Sequence, residues 1–594
     1  MYDYKAPVKD IQFLLASIQQ QTALLTHPQL AEMATDYQDA VLEEAGRFAG
    51  GVLAPLNQPG DVQGCRWQDG QVTTPDGWKD AYQQFCEYGW MGLGMSADFG
   101  GQNLPKFIAQ SVNEMWLSAN IAFVMFHALN QGCSDILHHF GTDEQKARYL
   151  ESIASGQVTV AMALTEPNAG SDLANTTTKA FPQGDGTYLI KGQKIFITYG
   201  EHDMSENILH LVLARTPDAP AGSRGISMFA VPKYRISPDG STGEANDVVC
   251  SGIEHKVGLH GSPTCSMSYG DNDACVGELI GEENKGLMAM FVLMNEARLS
   301  TGMQGVAFAE LSYQNAVQYA LERTQGAHYR DGGRVQIAAH PDVQRMLLSI
   351  KSQAMGMRAM GLLIAALIDI ADYTEDASER KQALNRVALL TPIFKAYATE
   401  QGNLTIGTCI QVFGGMGFVE ETGVAQFMRD ARITTIYEGT TGIQARDLVF
   451  RKILGDKGEA ATALLNDIRT DIDTLAAANR VELGQLADAL SKAVDAVGSS
   501  IQQILAADDP DQIRLHAGSV PLLDALGTLL TGWQLAVSAG YAQRQIEAGM
   551  DPEYHQNQIA LAEFFRVHKL PQIFACLASV EQAEQGLKDY RFDA

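Results

Sequence analysis

At 594 residues the chain exceeds one ordinary core, and typical domain sizes imply roughly three to four domains. A hydrophobic share of 46% is that of a globular protein, while a formal charge of −27 opposes anionic partners, nucleic acid and acidic membrane surfaces above all. The eight cysteines lack Cys-x-x-Cys pairs or regular spacing, which argues against a disulfide framework or a zinc centre and fits reduced thiols in a cytoplasm.

The N-terminal MYDYKAPVKDIQFLLASIQQQ carries acid early and only a short apolar run, so it reads as neither signal peptide nor anchor. No run approaches the roughly 20 apolar residues of a membrane span. From Lys9 to about Gln157 apolar residues recur with helical spacing, with breaks expected at Pro55, Pro59, Gly60 and FGGQNLP. His127, His138 and His139 read as structural or surface histidines, and no metal is assigned. Near Val158 the period changes, because VTVAMALT, TYLIKGQKIFIT, ILHLVLART and GISMFAVP are short β-rich runs between turn residues. They predict an antiparallel β domain, and the absence of Gly-x-Gly-x-x-Gly after a strand argues against a Rossmann site.

After Asn284 three long apolar helical stretches follow, the first running GLMAMFVLMNEARLS and onward, with the length and periodicity of a bundle. From Gly458 the pattern predicts about four further helices, roughly 459–479, 484–506, 511–549 and 555–585. Asp508-Asp509-Pro510 and Gly549-Met550-Asp551-Pro552 are their expected junctions. The division expected is 1–157 helical, 158–282 β, 283–455 a helical bundle and 456–594 an extra helical bundle, an α+β multidomain chain.

Within the third domain, Gln411–Asp447 concentrates glycines and charges around Glu438. Glu438 follows the β-branched run Ile433–Tyr437 and precedes Gly439-Thr440-Thr441-Gly442, so its carboxylate is expected where ordered structure breaks into a tight turn. IYEGT after QxxGGxGF and an intervening Arg-Asp resembles the C-terminal signature of the acyl-CoA dehydrogenases. MALTEPNAGSD, from Met162 to Asp172, resembles that family's N-terminal signature, and Lys194-Ile195-Phe196-Ile197-Thr198 stands where the family has its flavin-facing strand. Two long motifs in the right order are far more specific than a lone glycine pattern.

The resemblance implies the family's fold: a helical N-terminal domain, a middle antiparallel β-barrel and a helical bundle, here with an extra C-terminal helical bundle. It also implies α,β-dehydrogenation of an acyl-CoA to a trans-2-enoyl-CoA with FAD. Glu438 matches the base that takes the α proton, and its backbone amide would hold the thioester oxygen. Gly439 would keep side-chain bulk away from thioester and flavin; a positive-φ turn glycine is an equally good and compatible reading. Family members that carry their base on the long helix match Ala297 here, and the adjacent Glu296 points about 100° to the side.

For FAD, Met162, Leu164, Thr165, Phe196 and Thr198 match the isoalloxazine segment, Phe196 replacing the usual tryptophan. Arg323, Gln411, Gly414 and Gly415 match positions that reach the pyrophosphate of a neighbouring subunit's flavin, and Thr440 joins the cofactor set. For acyl-CoA, Ser171, Arg298, Tyr437 and Gly439 are the matches. A homo-oligomer follows, with a dimer favoured because the extra bundle would cover a tetramer surface; an electron-transfer flavoprotein is the implied acceptor. Two rivals stand beside this reading, an oxidase passing electrons to oxygen and a non-catalytic flavoprotein scaffold. EGTTG in place of EGTSQ, Asn295 in place of aspartate, and the extra bundle resemble the family's longer branch, which includes 3-(methylthio)propanoyl-CoA and bacterial long-chain acyl-CoA dehydrogenases.

Overall fold

The computed structural model describes every residue except 1–2, 35, 238–239, 331, 508–511, 588 and 593–594. The chain folds as two compact units, one of residues 1–46, 106–118 and 301–594, the other of 47–105 and 119–300.

The second unit is built on an eight-stranded sheet. Two short strands, β1 (Arg66–Gln68) and β2 (Gln71–Thr73), first make a separate hairpin. The sheet strands are β3 (Val158–Ala163), β4 (Lys179–Pro182), β5 (Thr187–Thr198), β6 (Asn207–Ala214) and β7 (Ser227–Pro232). After a second hairpin, β8 (Tyr234–Ile236) with β9 (Thr242–Ala245), come β10 (Val248–Ile253), β11 (Thr264–Tyr269) and β12 (Val276–Ile280). The pairing order is β10-β11-β5-β12-β7-β6-β3, with β4 added on β5. Every residue of β6 and β7 is buried, as a near-continuous apolar run predicts for a strand covered on both faces.

The expected antiparallel barrel needs correction. β3 runs parallel to β6, because the chain leaves β3, forms β4 and β5, and returns along the edge in the same direction. The sheet is therefore mixed, and among the described residues its pairing path ends at β10 and β3.

The expected break at Pro59 and Gly60 is absent too, since the helix Ala54–Gln63 passes through both. Pro55 makes no break either, because the wide π turn Ala49–Leu53 runs straight into this helix; Pro55 and Pro59 are both exposed, so the carbonyls they leave without a partner meet water.

In the first unit the long helices Gly286–Glu322 (from Thr301 onward), Pro341–Tyr373 and Ala377–Phe413 form the bundle expected from their periodicity. Arg358 sits wholly buried at its centre, donating to Glu114 Oε1 at 2.6 Å and Glu310 Oε2 at 2.8 Å. The expectation of no span-length apolar run also fails. Among the described residues Pro341–Tyr373 and Ile513–Glu547 are long and apolar enough to cross a membrane, but 89% and 78% of their apolar windows are buried in the protein, the pattern of core helices.

After Gly458 come the helices Glu459–Ala476, Val481–Leu505, Ile513–Glu547, Pro552–His568 and Gln572–Glu581. The single helix expected over 555–585 is two, because Pro571 cannot donate to the Val567 carbonyl and disfavours helical geometry at Leu570. The junction at Gly549 to Pro552 is as expected: Gly549 has φ +77° and Asp551 accepts from the Tyr554 N–H at 3.3 Å. The junction expected at Asp508-Asp509-Pro510 lies outside the described residues. The extra bundle seats against the Ala377–Phe413 helix at Gly527, where a Cβ would run into the Tyr397 ring.

Candidate active site

In the first unit Glu438 follows a short 3-10 turn, Arg432–Thr435, and has φ +53°; Gly439 follows with φ +91°. A left-handed glutamate costs about 1–2 kcal/mol and persists only where its surroundings hold it. Here they do. Gln444 Nε2 donates to the Glu438 carbonyl at 2.9 Å, and Lys395 Nζ donates to the Gly439 carbonyl at 2.7 Å. Glu438 itself is half-buried.

Its neighbours are fixed in turn. The Tyr437 hydroxyl donates to Gln304 Oε1, and burial, then the Glu438 charge, pushes that phenol up. Thr440 Oγ1 accepts from the Ile443 N–H at 3.3 Å and so caps the helix Thr441–Arg446. Thr441 Oγ1 donates to Glu400 Oε1 at 2.6 Å. Tyr437, Glu438, Gly439 and Thr440 thus form one braced turn.

Arg323, Gln411, Gly414 and Gly415 lie elsewhere in the same unit, at the C-terminal ends of two long helices that Tyr319 and Phe413 join by ring stacking at 4.2 Å and 15°. All four are exposed, and a Cβ on Gly414 or Gly415 would meet none of the described atoms within 4 Å.

In the second unit β5 carries one more residue than β11 between the pairs Lys194/Met267 and Ile197/Cys265. Phe196 absorbs it with φ +60° and turns outward, 58% exposed. Beside this bulge the Ile195 N–H donates to the Thr165 carbonyl at 2.9 Å, and Lys194 Nζ reaches the Leu164 carbonyl and Glu166 Oε1, both at 2.9 Å. Leu164 and Thr165 are thereby tied to β5 beside Phe196, while Met162 lies on β3 paired with Leu211 and Thr198 ends β5. Ser171 is exposed on the loop beyond, Arg298 is buried on the long helix, and Glu296 there is half-buried.

An outward-facing aromatic ring beside a bonded strand edge, and an exposed guanidinium with two open glycines, suit the flat ring and the pyrophosphate of a flavin dinucleotide. Sequence reasoning missed the bonding roles of Lys194, Lys395 and Gln304, which touch the motif residues through long-range bonds, and of Gln444, only six residues from Glu438. The one local signal was a lysine inside an apolar helical run, as at LLTPIFKAYA.

This fold and these two motif clusters define a flavin-dependent dehydrogenase of CoA thioesters, and the chain belongs to the acyl-CoA dehydrogenase family, FAD-dependent oxidoreductases that act on CH–CH groups. The family's N-terminal domain matches residues 35–157, its middle domain 161–271 and its C-terminal domain 284–454; an acetyl-CoA dehydrogenase C-terminal-like domain matches 464–590. The chain is 44% identical to the 3-methylmercaptopropionyl-CoA dehydrogenase of Ruegeria pomeroyi, over 95% of each. It is 34% identical to the broad-specificity linear acyl-CoA dehydrogenase FadE5 of Mycobacterium tuberculosis, over 99% of each. An acyl-CoA dehydrogenase from Bacillus anthracis, solved with FAD, shares the fold with a TM-score of 0.75 at 21% identity, over 93% of this chain and 89% of that one.

Proposed function

We propose that this protein dehydrogenates an acyl-CoA between its α and β carbons, with Glu438 as the base that takes the α proton. The observation that carries this is the braced left-handed turn, which spends backbone strain to aim one half-buried carboxylate. Bound FAD supplies the acceptor for the β hydrogen and its electron pair. The backbone N–H of Glu438 holds the thioester oxygen and stabilises the charge that develops there as the proton leaves. Gly439 leaves the space beside it clear. Tyr437 and Arg298 contact the acyl-CoA near the thioester and the adenosine, and Ser171 the pantetheine end.

Met162, Leu164, Thr165, Phe196 and Thr198 hold the isoalloxazine, and Thr440 belongs to the same cofactor set. Arg323, Gln411, Gly414 and Gly415 bind the pyrophosphate of the partner subunit's flavin, which makes the working form a homo-oligomer, a dimer in our reading. An electron-transfer flavoprotein in the cytoplasm takes the electrons. The division at 1–157, 158–282, 283–455 and 456–594 is supported by the spans of the four family domains. The 44% identity to the Ruegeria enzyme supports 3-methylmercaptopropionyl-CoA as the first ester to test.

The test is an anaerobic titration of the yellow protein with that ester and with short, medium and long acyl-CoAs, followed by flavin bleaching. Bleaching by one class, with no hydrogen peroxide formed when air is admitted, is expected. Peroxide at the rate of turnover points to an oxidase, and no bleaching by any ester overturns the reading.

A further inference from the structure

The helix Ala377–Phe413 reaches the catalytic turn twice. Lys395 grips the Gly439 carbonyl, and Glu400 takes the hydroxyl of Thr441. Lys395 is wholly buried, and a lysine ammonium out of water is retained only where it meets a need. The need is visible in the backbone. Glu438 and Gly439 have successive φ values of +53° and +91°, and turning either peptide back towards the ordinary region would swing the carboxylate away from its present direction. The two carbonyls of that pair are the ones held, one by Gln444 and one by Lys395. A glycine carbonyl bonded to an ammonium is also held by a charge-assisted bond, roughly twice as strong as a neutral one.

We propose that Lys395 is a positioning residue for the base: its ammonium locks the Glu438-Gly439 turn in the left-handed form, and so sets where the Glu438 carboxylate meets the α proton. This rests on the reading of Glu438 given above. Lys395 touches neither thioester nor flavin in this scheme; it acts through the Gly439 peptide. Its loss should therefore spare binding and slow proton removal.

The experiment measures deuterium entry at the α carbon of a 3-thia acyl-CoA, whose β position carries no hydrogen, alongside ester affinity, flavin content and anaerobic bleaching rate. Lys395→Met is expected to keep its flavin and bind the ester within about threefold of wild type. Its exchange and bleaching rates should fall about 100-fold, the scale that a misplacement of about 1 Å produces. Lys395→Arg, which retains a cation, should recover part of the loss. Exchange by Lys395→Met at the wild-type rate overturns the inference and leaves Glu438 untouched. Exchange by Glu438→Gln at the wild-type rate overturns the underlying reading instead. If Lys395→Met does not fold, Lys395→Gln, shorter and uncharged, is measured in its place, and wild-type exchange there has the same force against the proposal.

Discussion

Lys194 and Glu166 form an ion pair 2.9 Å across in which the two side chains are 0% and 3% exposed. Glu166 also accepts from the N–H and hydroxyl groups of Thr177 and Thr178, at 2.6–3.1 Å. The pair ties β5 to the loop that carries Leu164 and Thr165, so the cluster assigned to the flavin depends on it. Burial pushes the Glu166 carboxyl up, but Lys194 and the threonine donors outweigh it and hold it at about 2. A carboxyl held below its ordinary value of 4.5 adds stability that is complete above that value and is lost as pH falls towards about 2. Glu166→Gln should flatten this acid limb in urea unfolding, cost about 3–5 kcal/mol at neutral pH by leaving the buried Lys194 with the Leu164 carbonyl but without a counter-charge, and lower flavin content.

Asp369 gives the opposite sign. It is buried, and its carboxylate caps the helix Lys106–Phe140 from outside, accepting from the N–H groups of Lys106 at 2.7 Å and Phe107 at 2.8 Å. Burial pushes it up to about 7 in spite of these donors. A raised folded value means stability that is complete below the unfolded value of about 3.8 and is lost as pH rises through about 7. Melting temperatures at pH 5 and pH 8 should therefore differ more for the wild type than for Asp369→Asn, which keeps one acceptor and does not titrate.

Gly439 is open to a sharper test. A Cβ there would stand 2.5 Å from Gln444 Nε2 at a φ of +91°. Gly439→Ala should push Gln444 off the Glu438 carbonyl, slow flavin reduction by about tenfold or more, and leave overall folding intact. Unchanged reduction would mean that the turn tolerates both the strain and the displaced amide.

How much of this was legible in the sequence depended on the range of the interaction. The long helices and the strands β3, β5, β6 and β7 announced themselves, because each buries a run whose period is visible locally. The parallel β3–β6 pair was not legible, since pairing direction depends on where the chain returns after β4 and β5. The β1–β2 hairpin was missed although Asp69-Gly70, with φ +51° and +83°, is the Asp-Gly signal of a two-residue turn. In the site, Glu438 and Gly439 stood out by motif and Gln444 lay within six residues of them, whereas Lys395 and Lys194 matter through contacts 44 and 28–30 residues away in sequence that no local pattern reveals.

The extra C-terminal bundle offers a stability test. Gly527 lies against the Tyr397 ring with no room for a methyl group, and Thr528 Oγ1 is 3.4 Å from the Tyr397 hydroxyl. Gly527→Ala should cost about 1–3 kcal/mol by overpacking, read as a lower melting temperature and earlier proteolytic release of the C-terminal helices. An unchanged melt would show that this contact is not close-packed in solution.

The most direct test of the whole account is single-turnover flavin reduction by Glu438→Gln beside wild type, at saturating ester and without oxygen. The account predicts that the variant binds the ester, perturbs the flavin spectrum as wild type does, and then fails to bleach on any practical timescale, because the amide cannot accept the α proton. Bleaching by Glu438→Gln within about tenfold of the wild-type rate would contradict it and move the base to another residue, Glu296 first.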